Sequence, residues 1–144
     1  VTDVDAATVR ESLEQLRFAD RLLTSTAAAL RKVSRDSSKS TRNWKRYTAE
    51  DGMQVVESSE RELYEAWGAT CSALAALGRP QPAEPPGPGW RPNWLTALWD
   101  AFMWGTMARR VLTQAVGLRS NVRATFEQLR ALIPDEDVAP LGGK

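Results

Sequence analysis

The sequence predicts an all-α protein: an antiparallel bundle of three long helices, with a fourth if the last segment breaks at Gly117. Three observations carry this. Apolar residues recur on three- and four-residue steps in three long stretches, the period of a helix face. No stretch alternates apolar with polar residues as a half-buried strand would. Six of the eight prolines lie between Pro80 and Pro92, marking one long break between helical regions. With 144 residues, 42% of them apolar and 26% charged, the chain fits one folded domain over 1–144.

The first helix is expected over about 5–33. Thr8 and Glu11 have capping-box spacing, and the acidic residues before them offer an earlier cap. Val9, Leu13, Leu16, Leu23, Ala27 and Leu30 form a seam that only Asp20 interrupts. Ser34, Ser37, Ser38, Ser40 and Thr41 then predict a basic, Ser-rich loop over 34–47.

A second helix is expected over about 48–77, opened by Thr48 with Asp51 as reciprocal cap. Met53, Val56, Leu63, Trp67, Thr70, Leu74 and Leu77 make its seam, interrupted by Glu60, and Gly78 is placed to cap its end. The Pro-rich linker over 78–93 follows as an extended connector. Asn93 caps a third helix, whose apolar spacing runs from Trp94 to Ile133 before Pro134 stops it. Unbroken, this helix over 94–133 is about 60 Å long, against about 45 Å for each of the others. Gly117 is the place to bend or split it, whereas Gly105, among large apolar residues, suits close helix packing. The tail over 134–144 is acidic and then Pro- and Gly-containing, and is expected to fray.

Composition narrows the chemistry. Histidine is absent, which removes the commonest general base and metal ligand. The single cysteine, Cys71, has small neighbours and reads as a buried helical residue. Glu57, Glu60 and Glu65 would need histidine partners to resemble a helical di-metal site, so they read as a surface charge array. No Gly-rich phosphate loop or nucleophile elbow occurs. The expectation is a protein that is not an enzyme and uses no metal or cofactor. The acidic start (Asp3, Asp5) and the lack of a membrane-length apolar run point to a cytoplasmic protein. Arginine outnumbers lysine 15 to 4 and alanine is abundant, the residue usage of a GC-rich bacterial genome.

Two segments suggest partners. Between Trp94 and Ala108 only Thr96 and Asp100 form a narrow polar strip. A helix apolar nearly all round must be buried nearly all round. Two neighbouring helices cover only part of it; either Trp90 and the folded-back connector cover the rest, or Trp94, Leu95, Trp99, Phe102, Met103, Trp104 and Met107 are the expected interface for a protein partner or a second copy. The role this implies is an adaptor or accessory subunit of a larger assembly. The alternative partner is nucleic acid. Seven cations, Arg31, Lys32, Arg35, Lys39, Arg42, Lys45 and Arg46, stand against one acid, Asp36, with Trp44 and Tyr47 interleaved. Arg109, Arg110, Arg119, Arg123 and Arg130 could extend that basic surface, and the acidic second helix could neutralise it instead.

Leu13-Glu14-Gln15-Leu16-Arg17, with Asp20, Leu22 and Leu23, resembles the opening helix of the all-α chorismate mutases. That resemblance, barely a dozen residues long, implies a cofactor-free enzyme that binds a dicarboxylate with helix-borne cations. Arg17 would match the family's early arginine, and Arg35 and Lys45 sit near where its later cations would be sought. It stands as a minor alternative.

Overall fold

A computed structural model of the chain describes residues 5–43, 49–86 and 97–142, with side chains over 5–35, 54–86 and 105–142. Three helices make up the fold: α1 (Ala6–Asn43), α2 (Ala49–Ala76) and α3 (Ala97–Arg130). Among the described residues there is no strand.

Helix α1 begins earlier than the capping-box spacing suggests. The Asp5 carboxylate accepts from the Ala7 amide at 3.3 Å, and the Asp5 carbonyl takes the first helical bond, from Val9, at 3.1 Å. Asp5 is therefore the cap, and Thr8 lies inside the first turn. The helix also runs ten residues past Val33, so the expected loop over 34–47 is helical as far as Asn43. Serine lowers helix propensity only by tenths of a kcal/mol, and no glycine or proline occurs before Gly52. Nothing in that stretch breaks a helix already under way, and its lysines and arginines are good helix formers.

Helix α2 ends in a Schellman motif. Gly78 takes the left-handed conformation at φ 67°, the Arg79 amide reaches the Leu74 carbonyl at 2.9 Å, and the Gly78 amide reaches Ala75 at 3.1 Å. Helix α3 is continuous through Gly117, so no fourth helix forms. Gly117 lies on the exposed side, and the propensity it costs is small against the seam on the other side of the same turns. The proposed caps at Thr48 and Asn93 lie outside the described residues.

The register fixes the topology. The Ser12 hydroxyl donates to the Ala73 carbonyl (3.1 Å) and Thr26 to Glu62 (2.5 Å), so α1 and α2 are antiparallel. Arg109 reaches Ser34 at 3.5 Å and Arg123 reaches Asp20 at 2.9 Å, so α1 and α3 are antiparallel too. Helices α2 and α3 consequently run parallel, and Arg79 meets Gln128 (3.4 Å) where both end. The connector leaves α2 and turns back along it. Tyr64 donates to the Pro85 carbonyl at 2.8 Å and the Trp67 indole to that of Pro82 at 3.0 Å. Trp67, expected in the seam, is half-buried: it packs against the core and donates its indole N–H to the connector.

The core follows the seams. Val9, Leu13, Leu16, Leu23, Ala27 and Leu30 are buried in α1, Val56, Leu63, Thr70 and Leu74 in α2, and Leu77 in the turn that follows it. Helix α3 adds Val111, Leu118, Val122, Phe126 and Leu129. The tail, expected to fray, lies against the bundle as far as Gly142. Val138 and Leu141 pack on this core, and Arg17 and Arg123 donate to the carbonyls of Ala139 (2.6 Å), Pro140 (3.3 Å) and Gly142 (2.9 Å). A tail with two apolar side chains and three acceptors facing cations has enough contacts to stay docked.

Candidate functional site

Two places in the fold gather polar or charged side chains. The first is internal. Asp20 occupies a seam position of α1 where the next residue facing the core would be apolar, and its side chain is 5% exposed. Two arginines one turn apart on α3 meet it: Arg119 Nε at 3.3 Å, and Arg123 through Nε at 2.9 Å and Nη2 at 3.3 Å. The long arginine stems cross the α1–α3 seam from positions just beside Leu118 and Val122. Arg119 Nη2 is buried with no acceptor among the described residues. The arrangement is an ion-pair clasp in which Arg123 is also held by the tail, while Arg119 is held through Nε alone. In the sequence Asp20 stands as an interruption of the seam, and Arg119 and Arg123 as part of a basic surface. The signal was there: a carboxylate on a seam position demands a cation at the same level of a facing helix.

The second place is the end of the bundle where α1 finishes and α2 and α3 begin. At the level of the Arg109–Ser34 contact, Arg31, Lys32 and Arg35 of α1 and Arg109 and Arg110 of α3 are all exposed. Arg31, Lys32 and Arg35 enter no ion pair among the described residues. Beyond that level α1 continues to Asn43, and α3 extends back to Ala97, by about 13 and 18 Å. The helical parts of the basic run, to Asn43, and of the aromatic segment, from Ala97, are more than 50 positions apart in the chain and are thus brought to one end of the described bundle.

The individual residues divide as follows. Met107 is 2% exposed and is spent in the chain's own core. Trp99, Phe102, Met103 and Trp104 lie on α3 and Lys39 and Arg42 on α1, with side chains outside the described set. Trp44, Lys45, Arg46, Tyr47, Trp94 and Leu95 lie outside the described residues altogether. Arg119 and Arg123 belong to the clasp, and Arg130 pairs with Glu127 at 3.5 Å, so none of the three continues the basic end.

Other chemistry-bearing groups are dispersed. Arg17 lies 5.2 Å over the Phe126 ring and binds the tail, so its guanidinium is directed along the α1–α3 surface. Cys71 is half-buried, not buried as its neighbours suggested, and burial pushes its thiol pKa up, away from thiolate chemistry. An open groove of about 500 Å³ between α1 and α2 is lined by hydroxyls (Ser25, Ser58, Ser59) and by Arg61 and Glu62. Among the described residues no three acidic or sulfur ligands come together as a metal site, and no helix is long and apolar enough to cross a membrane. No known protein family matches the chain, and no curated protein or solved structure is significantly similar to it.

Proposed function

We propose that the protein is a helical adaptor, an accessory subunit without catalytic activity that joins a larger assembly through the start of α3. The observation that supports this is the make-up of α3 at its start. Its first turns hold Leu98, Trp99, Phe102, Met103 and Trp104 with Asp100 as the polar residue among them, and they precede the Arg109–Ser34 contact by several turns. A segment with apolar side chains round most of its circumference needs more cover than two neighbouring helices provide. Large rigid side chains supply most binding energy per residue at interfaces. The partner that fits is an amphipathic helix with an acidic margin, whose apolar face takes the aromatics while its carboxylates meet Arg109 and Arg110.

The test is site-specific photo-crosslinking in cells, with a photoreactive residue in place of Trp99 or Met103 and, as control, in place of Glu127 at the opposite end. One discrete adduct from positions 99 and 103, absent from 127 and lost when Arg109 and Arg110 become Glu, is the expected result. No adduct at 99 and 103, or the same adducts at both ends, rejects the reading.

A further inference from the structure

The helical course of the basic run gives it a geometry that a loop would not have. On α1, positions 31, 35, 39 and 42 follow steps of four, four and three residues, and with position 32 they fall within an arc of about 100°. Thr26, Ala27, Leu30 and Val33 are buried, and the arc lies on the side of the helix away from them. The described members, Arg31, Lys32 and Arg35, are exposed. Five cations therefore occupy one ridge about 16 Å long, with Arg109 beside it through the Ser34 hydroxyl. The chain as a whole carries a net charge of only +1, so this is a local concentration and not a general excess.

We infer that this ridge of α1 binds the phosphate backbone of a nucleic acid, without reading its sequence. A rigid row of lysines and arginines neutralises successive phosphates and pre-pays the ordering that a flexible basic loop would have to undergo on binding. A lipid surface fits less well. Membrane-lying helices sink an apolar face beside their cations, and as far as Val33 the apolar face of α1 is already closed by α2 and α3. This inference does not depend on what binds the first turns of α3.

The full chain is titrated against a fluorescent single strand and a duplex of the same length, from about 20 mM salt upward. Binding should weaken with a log–log salt slope of about −3.5 for the single strand and about −4.5 for the duplex if all five cations meet phosphates. Changing Arg35, Lys39 and Arg42 together to Ala should flatten that slope by about 2 to 3, while changing the same three to Lys, Arg and Lys should preserve binding. A control set at the other end of the bundle, Arg10→Ala with Arg79→Ala, should leave the slope unchanged. Equal far-UV circular dichroism across the variants separates lost contacts from lost fold. The inference is overturned by no binding at the lowest salt, by equal losses from the ridge and control sets, or by preferential binding to phosphatidylserine vesicles.

Discussion

A carboxylate at a core-facing position is costly unless it is paired, and Asp20 has two guanidiniums within 3.3 Å for that purpose. Removing the acid strands Arg119, whose side chain is 14% exposed, beside a partly covered Arg123. Asp20→Ala should cost about 3–5 kcal/mol, read from the urea midpoint at constant slope. Replacing Asp20, Arg119 and Arg123 together by Leu or Met should recover most of that loss, since well-packed apolar groups often substitute for a buried ion pair without penalty. If Asp20→Ala changes the midpoint by less than 1 kcal/mol, the clasp is a surface feature and not part of the core. Cys71 gives a second residue-scale expectation. Burial raises its thiol pKa, so at pH 8 the folded protein should be alkylated more slowly than the urea-unfolded chain, with the gap narrowing at higher pH. Equal rates in the two states would contradict its half-buried position.

At the scale of single elements, two exposed glycines have opposite roles. Gly78 holds φ at 67°, where a Cβ is strained, so Gly78→Ala should destabilise by roughly 1–2 kcal/mol. Gly117 is helical, and a Cβ there meets nothing within 4 Å, so Gly117→Ala should stabilise by roughly 0.5–1 kcal/mol. Thermal midpoints moving in the same direction for both variants would refute this pairing. These elements also show what was legible in the sequence. The seams and the Gly78 cap were readable because burial and φ constraint act on residue types directly. The end of α1 was not, because serine and threonine favour loops only weakly and a helix anchored by its buried first half carries them along. The candidate site was legible as two lists of residues, and their meeting at one end was not, because it depends on register. That register comes from contacts such as Arg109–Ser34, which link positions 75 residues apart.

At the scale of the whole molecule, the parallel course of α2 and α3 follows from the connector. The stretch between Ala76 and Ala97 reaches about 60 Å when extended, more than the roughly 42 Å length of α2. It is long enough to bring the chain back to the end where α2 began, so α3 can lie antiparallel to α1 on its other side. The tail then closes the α1–α3 seam at the opposite end, reaching over Arg17 and Phe126 towards the Asp20 clasp. Its anchors are backbone carbonyls, apart from Glu136, whose contact with Arg10 is 3.7 Å long and exposed. Docking therefore rests on Val138 and Leu141 and on neutral acceptors, and salt should barely affect it. Ending the chain after Pro134 uncovers Arg17, Arg123 and the apolar surface under the tail. Partial burial of two aliphatic side chains and loss of three charge-assisted hydrogen bonds correspond to about 2–3 kcal/mol, or a fall in melting temperature of about 5–10 °C. Leu141→Ala alone should give roughly a third of that, and Arg17→Ala a similar share. A truncated chain that melts with the full-length protein would mean that the tail adds no stability, and the three carbonyl contacts would then have no energetic role in holding the helices together.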